Sequence, residues 1–355
     1  MENNKASKCK TKYFILIFAL IVLTVYFLAS CKNQPTSFQY EINADGETCT
    51  LVGYSKITNR DIVIPEKYGK YTVTAIADEA FMGTHIVTVT IPSTIQTIGR
   101  DAFKLCESLK AVYGLENCLL LDKINSGTFW GCISLETITL PPNLIEIGSE
   151  AFLACKNIEN IKIPNSVQTI GSFAFTGCAS LLQLHFPDNI INMGKGAFAQ
   201  CHSLKEVTLP PNLSNIFFGV FLYCYSLENI YVTDNSSNFT SIDGILFDKN
   251  AYTLYSYPSG RNLEKYIIPN NVLTIEHGAF AYNPYLKEIT IPKSINSIYN
   301  NVFSNSPNLL AIYYEGDVKK WQSIYKAPDW NLDSANYTIY CTDGQISKDG
   351  TVTYK

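Results

Sequence analysis

The sequence predicts a solenoid of roughly 23-residue coils, with a parallel β-sheet on one face and short helical or irregular segments on the other. Three observations predict it. A small residue followed by Phe recurs at Ala80-Phe81, Ala102-Phe103, Thr128-Phe129, Ala151-Phe152, Ala174-Phe175, Ala197-Phe198, Val220-Phe221, Ala279-Phe280 and Val302-Phe303, and the steps between the Phe residues are 22, 26, 23, 23, 23, 23, 59 and 23. Other columns keep the same phase: Cys106, Cys132, Cys155, Cys178, Cys201 and Cys224 stand three residues after the Phe, and Leu109, Leu135, Ile158, Leu181, Leu204, Leu227, Leu286 and Leu309 six after it. Apolar residues then alternate with polar ones until a Pro-containing turn, as in Ile163-Pro164-Asn165-Ser166-Val167. Alternation of period two is the strand signature.

The N-terminus reads as an export signal. Lys5, Lys8, Lys10 and Lys12 precede an apolar run from Tyr13 to Leu28. Small residues before a cut complete the pattern of a secretory signal. Leu28-Ala29-Ser30-Cys31 resembles the bacterial lipobox, which would make residues 1–30 a lipoprotein signal peptide and lipidated Cys31 the membrane anchor. A transmembrane anchor is the alternative, because the run is nearly long enough to span a bilayer. An ordinary cleaved signal is the third reading. All three export the rest of the chain. Residues 31–37 are polar and read as a short tether.

Terminal coils of a solenoid need caps. Residues 38–75, with Phe38 to Ile42, Thr48 to Leu51 and Asp61 to Pro65, read as a β-rich N-terminal cap, and the repeats fill 76–314. A single coil cannot bury its own apolar face, so neighbours stack and the columns become continuous interior stripes. Pro ends each strand because it lacks the ladder donor. Phe fills the core behind the sheet, and the small residue before it lets coils approach.

The pattern Ile-Gly-x-x-Ala-Phe-x-x-Cys-x-x-Leu-x-x-Ile-x-Ile-Pro-x-x-Val resembles the BspA-type (treponemal-type) leucine-rich repeat of bacterial surface proteins. The resemblance covers about residues 37 to 345. It implies a leucine-rich repeat solenoid on the cell surface, acting in adhesion to host matrix, to other bacteria or to the cell's own envelope. Two copies depart from it. The first carries Thr84 in place of the Cys, and the copy at Ile216-Phe217-Phe218 has lost its Gly.

Eleven Cys in an exported chain would ordinarily suggest disulfides. Six of them share one interior column and point the same way, a poor geometry for bridging. They are expected as buried free thiols behaving as small apolar residues, with bridges and then metal as weaker alternatives. Cys49, Cys118 and Cys341 lie off the column, and their pairing cannot be assigned from sequence. The 59-residue step places an expanded coil at about 229–272. Ser241 to Phe247 and Thr253 to Tyr257 read as arms of a hairpin around Asp248-Lys249-Asn250. Residues 315–355 read as a small C-terminal cap, in which Trp321, Ile324, Tyr325 and Trp330 form a short helix over the open end. The Trp pair serves as core there, against the alternative of a ligand platform.

No GxSxG, HExxH, Walker A, GxGxxG or EF-hand pattern occurs, and His85, His185, His202 and His277 occupy different repeat phases. The chain is therefore read as a non-enzyme without metal or cofactor. A net charge of -4 and no basic block in the mature part exclude nucleic acid as a partner. What remains is surface. Positions eight and ten after the Phe alternate with buried ones, so Asn160, Gln183, Glu206 and Glu288, with Tyr113, Thr139, Lys162, His185, Thr208, Tyr231, Thr290 and Tyr313, are the candidate binding face. An extracellular or envelope protein is the expected partner. A glycan-recognition module and a structural scaffold of the envelope are the alternatives.

Overall fold

The computed structural model describes residues 37–56, 59–217 and 219–355. Cys31, the signal run and nearly all of the tether lie outside them.

The coils build two parallel ladders, the first reduced to isolated bridges around Asn160–Gln183 and His185–Thr208. The first ladder is the expected one: Ile62, Val89, Val112 and Ile138 are buried and pair in register from coil to coil. The second runs along the column of the Ile-Gly pairs, in two sections: Ile76 pairs with Ile98, and Ile124, Ile147, Ile170, Met193 and Ile216 pair in succession. Only two residues per coil take part in most of its rungs, too few to show an alternation in the sequence. Among the described residues the helical segments are a 3-10 turn at Leu115–Asn117 and one α-helix at Val318–Ser323. The side away from the first ladder is therefore a second ladder plus turns.

The glycine after the Ile sets the coil spacing. A Cβ on Gly99 would stand 2.3 Å from the backbone nitrogen of Asp78, and on Gly194 it would stand 2.4 Å from that of Ser172. Backbone approaches backbone there, which no side chain allows. The tight turn that follows holds the Phe between two left-handed residues, for example Glu150 (φ 59) and Ala154 (φ 61) around Phe152. Its reward is the Phe column. Phe152, Phe175 and Phe198 are fully buried with successive ring centroids 5.1 Å apart and planes 5° apart. Full burial of each ring contributes about 1.5–3 kcal/mol.

The cysteine column is polar as well as apolar. Each thiol donates to the Phe carbonyl of the preceding coil: Cys155 to Phe129 at 3.1 Å, Cys178 to Phe152 at 3.4 Å, Cys201 to Phe175 at 3.4 Å and Cys224 to Phe198 at 3.2 Å. In a later coil the Ser306 hydroxyl makes the same bond to Phe280 at 2.8 Å. The thiols are free and buried, and so are Cys49, Cys118 and Cys341. Burial disfavours the thiolate, pushing both Cys178 and Cys224 up to about 12.

The expanded coil resolves into two parts. Tyr257 stands in the Phe column, 23 residues before Phe280 and 36 after Phe221; its ring packs 5.2 Å from that of Phe280. The extra residues form Phe239–Ile242 and Ile245–Asp248, which pair antiparallel. The expected arm from Ser241 to Phe247 is thus folded at Asp243-Gly244, where both residues have positive φ (50 and 75). An Asp-Gly pair at such angles is a favoured two-residue hairpin turn. The second expected hairpin, Ile245–Asp248 with Thr253–Ser256, is present. Ile245, Leu246 and Phe247 are all buried: Leu246 joins the N-terminal core, Ile245 and Phe247 the C-terminal one. Both ladders are interrupted at this seam.

Both ends are covered. The antiparallel pair Ser37–Ile42 and Thr48–Lys56 sets Phe38 and Tyr54 against Phe81, the first ring of the column. Asp61–Val63, read from the sequence as part of this cap, already pairs with Thr88–Thr90 in the first ladder. At the other end Trp321 is 3% exposed and packs edge-on to Tyr314 and Trp330, while Trp330 meets Phe303. The helix that carries Trp321 is capped by Asp317, whose carboxylate accepts from the Lys320 amide at 2.7 Å. Thr338–Tyr340 continues the first ladder before two antiparallel strands close it.

Candidate binding face

The buried side chains of the first ladder fix the direction of their neighbours. With Val112, Ile138, Ile161, Leu184, Val207 and Ile230 pointing inward, the residues on either side of each point out. Tyr113, Thr139, Asn160, Lys162, Gln183, His185, Glu206, Thr208, Tyr231 and Tyr313 are exposed, and Glu288 and Thr290 are half-buried. Register brings them into two columns. Asn160 bridges Gln183, His185 bridges Thr208, Glu206 pairs with Asn229, Thr208 with Tyr231, and Thr290 with Tyr313. Neighbouring rungs of a sheet lie about 4.8 Å apart, so each column is a row of side chains in contact reach.

The face has internal structure. Around His185 the pairing falls back to isolated bridges, and two hollows of about 390 and 260 Å³ flank the imidazole. Lys162 and Asn165 border one hollow, Glu206 and Asp188 the other. At the seam the face divides. Beyond it Lys265 pairs with Glu288 at 2.9 Å, which leaves that carboxylate engaged and raises the Lys265 pKa. Tyr313 stacks on Tyr340 with centroids 5.3 Å apart.

Sequence reasoning missed several members. Val63 and Thr90 precede Tyr113 in the outer column, Lys265 and Ile267 begin its second section, and Tyr340 extends it. Lys265 and Ile267 follow from phase once Tyr257 is accepted as a variant of its column, whereas Thr90 stands nine residues after Phe81 because that coil is one residue short. Tyr340 has no Phe anchor, and only the alternation of Tyr337 to Cys341 marks it.

Among the described residues no three His, Cys, Asp or Glu side chains could share a metal ion. His202 is engaged by the Tyr223 carbonyl at 2.9 Å and stacks on Tyr225, and His277 lies against Tyr299, both away from the face.

The profile of a family described as the BspA type leucine rich repeat region matches residues 53–120, 122–254 and 255–325 in six copies. A leucine-rich cell surface protein from Faecalibacterium prausnitzii is similar in structure, with a TM-score of 0.66 and 25% identity over 82% of this chain and 97% of that one. A leucine-rich repeat protein from Bacteroides ovatus gives 0.62 and 26% over 87% of this chain and 78% of that one. The pneumococcal vaccine antigen PcpA, at 0.55 and 21% over 87% and 88%, shares the fold. No curated protein matches the chain.

Proposed function

This chain belongs to the BspA-type leucine-rich repeat family, and we propose that it is a non-enzymatic bacterial surface protein that binds other macromolecules through the outer face of its first ladder. The observation that carries this is the pair of columns of amides, hydroxyls and tyrosines held in register by buried partners. Such side chains are ordered before a ligand arrives, so less conformational entropy is lost on binding. Tyrosine supplies contact area at low entropic cost. Display is supported by the F. prausnitzii relative, which is described as a cell surface protein.

Adhesion is the role proposed, with an extracellular or envelope protein, host matrix or another bacterium as partner. Anchoring through lipidated Cys31 would hold the solenoid at the membrane. Two measurements test the reading. Protease applied to intact cells should remove the solenoid, and protection until lysis contradicts display. The full chain in detergent should bind immobilised matrix proteins or bacterial cells. Binding confined to a glycan array would replace protein adhesion by glycan recognition, and no binding to either would favour a scaffold.

A further inference from the structure

The seam puts a guanidinium into the binding face with no carboxylate to answer it. Arg261, one of three arginines in the chain, lines a notch with Asn229, Tyr231, Val232, Asp243 and Gly244, at the seam where the first ladder breaks before Lys265–Ile267. Its position is built. Gly260 presses against the preceding coil so closely that a Cβ would stand 2.5 Å from the Ser226 carbonyl carbon, and its amide bonds to Leu227 at 2.9 Å. Nη1 of Arg261 donates to the Asp243 carbonyl and, at 3.4 Å, to Asn229 Oδ1. The guanidinium carbon lies 5.9 Å from the Tyr257 ring centre.

These partners are neutral. The ion pairs among the described residues are Lys104–Asp101, Lys123–Glu146, Lys265–Glu288 and Lys287–Glu264, so Arg261 is in none. The Asp243 side chain lies on the rim, exposed and unpaired with it. Among the described residues Nε is buried without a hydrogen-bond partner. A half-buried guanidinium in no ion pair favours a carboxylate brought within its reach.

We propose that the Arg261 notch receives the carboxylate of an Asp or Glu side chain in an extended segment of a partner protein. A peptide is favoured over an acidic sugar by what surrounds the arginine. Lys265–Ile267 is the terminal strand of its sheet, paired on one side only and free to accept another strand on the other. Ile267, 68% exposed, and Tyr231, 42% exposed, offer apolar contacts to the residues flanking the acid. The edge of Asn229–Val232 is already closed, because the Ile230 amide bonds to Gly244 at 2.8 Å and Ser241 donates to the Ile230 carbonyl at 2.6 Å. The segment therefore adds to the Lys265–Ile267 side. This rests on the first-ladder face being the binding face.

The test uses the full chain in detergent micelles, labelled with 15N-arginine, which gives three Nε–H signals, from Arg60, Arg100 and Arg261. The probes are acetyl-Thr-Val-Glu-Val-Thr-amide, its Gln counterpart and a galacturonic acid trimer. The Glu peptide should move the Arg261 signal alone, saturably, and the Gln peptide should bind about ten- to a hundred-fold more weakly, the factor expected for a charge-assisted hydrogen bond. R261K should weaken the Glu peptide and R261Q should abolish its binding, measured by fluorescence anisotropy of labelled peptide. A stationary Arg261 signal, equal response to Glu and Gln, or response to the trimer alone overturns the proposal. The wild-type titration decides the matter even where a variant fails to fold. If R261Q leaves adhesion intact, the notch is wrong and the face stands; if the chain adheres to nothing, the reading of the face falls.

Discussion

Raising the pH from 8 to 10 should destabilise the solenoid through its cysteine column. In the unfolded chain a thiol ionises near 9; in the folded chain burial holds Cys178 and Cys224 near 12. Between these values the unfolded state has released protons that the native state keeps. Stability from each thiol is therefore fully present below about 9 and falls as pH rises towards 12. At pH 10 each of the two costs about 1.4 kcal/mol relative to pH 8, or about 3 kcal/mol together. Cys155 and Cys201 are raised in the same direction by the same burial and add to the loss. Buried tyrosines add to the loss: Tyr257 and Tyr337, with an ordinary value of 10.0, are pushed up to about 12 and each cost about 0.4 kcal/mol by pH 10, in wild type and variant alike. Urea denaturation of the full chain in detergent at pH 8, 9 and 10 reads the effect. The midpoint should fall across the series, and the double variant Cys178→Ala, Cys224→Ala should fall by about 3 kcal/mol less. An equal fall in wild type and variant would refute the argument, because it would place the alkaline loss elsewhere.

Other outcomes follow from the same geometry. Gly194→Ala should destabilise by about 1–3 kcal/mol, because its Cβ meets backbone that cannot move without opening the coil spacing; a neutral denaturation midpoint contradicts the glycine's role. Gln200, exposed at φ 60, should tolerate Gln200→Gly with a gain of about 0.5–1 kcal/mol, while Gly177→Ala at φ 76 should lose about 1–2 kcal/mol, both read by thermal melting. Phe175→Ala should cost about 3–5 kcal/mol, since both faces of its ring are covered by neighbours 5.1 Å away. Cys31→Ala should abolish incorporation of labelled fatty acid and release the protein from the membrane, and continued labelling would remove the lipobox reading.

Much of the fold was legible because a stacked repeat writes the same physics into every copy. The Phe, Cys and Leu columns gave the period, the inward positions and, by subtraction, the outward ones. The second ladder was not legible: two-residue rungs such as Thr169–Ile170 leave no periodicity to detect. The seam was half legible. Its hairpin around Asp248-Lys249-Asn250 showed as two runs; the turn at Asp243-Gly244 carried its own signal, an Asp-Gly pair, and was missed because the apolar residues on either side read as one strand. Tyr257 was missed because an aromatic replaced Phe and the turn before it shortened: it follows Leu254 by three residues, where Phe152 follows Ile147 by five. The polar use of the thiols was likewise invisible, since only coordinates show that each sulfur faces a carbonyl one coil away. Arg261 carried no motif; its meaning comes from a break in the sheet that only the fold reveals.

The central claim is that the first ladder, and not the second, is the recognition face. It is tested by comparing two variants of the full chain for adhesion to matrix proteins and bacterial cells. One carries Tyr113→Ala, Lys162→Ala, His185→Ala and Tyr231→Ala, all exposed on the first ladder. The other carries Gln168→Ala, Asn192→Ala and Asn215→Ala, exposed along the second. With folding verified by thermal melting, the first variant should lose binding and the second should keep it. Equal binding by both, or loss only in the second, would contradict the account.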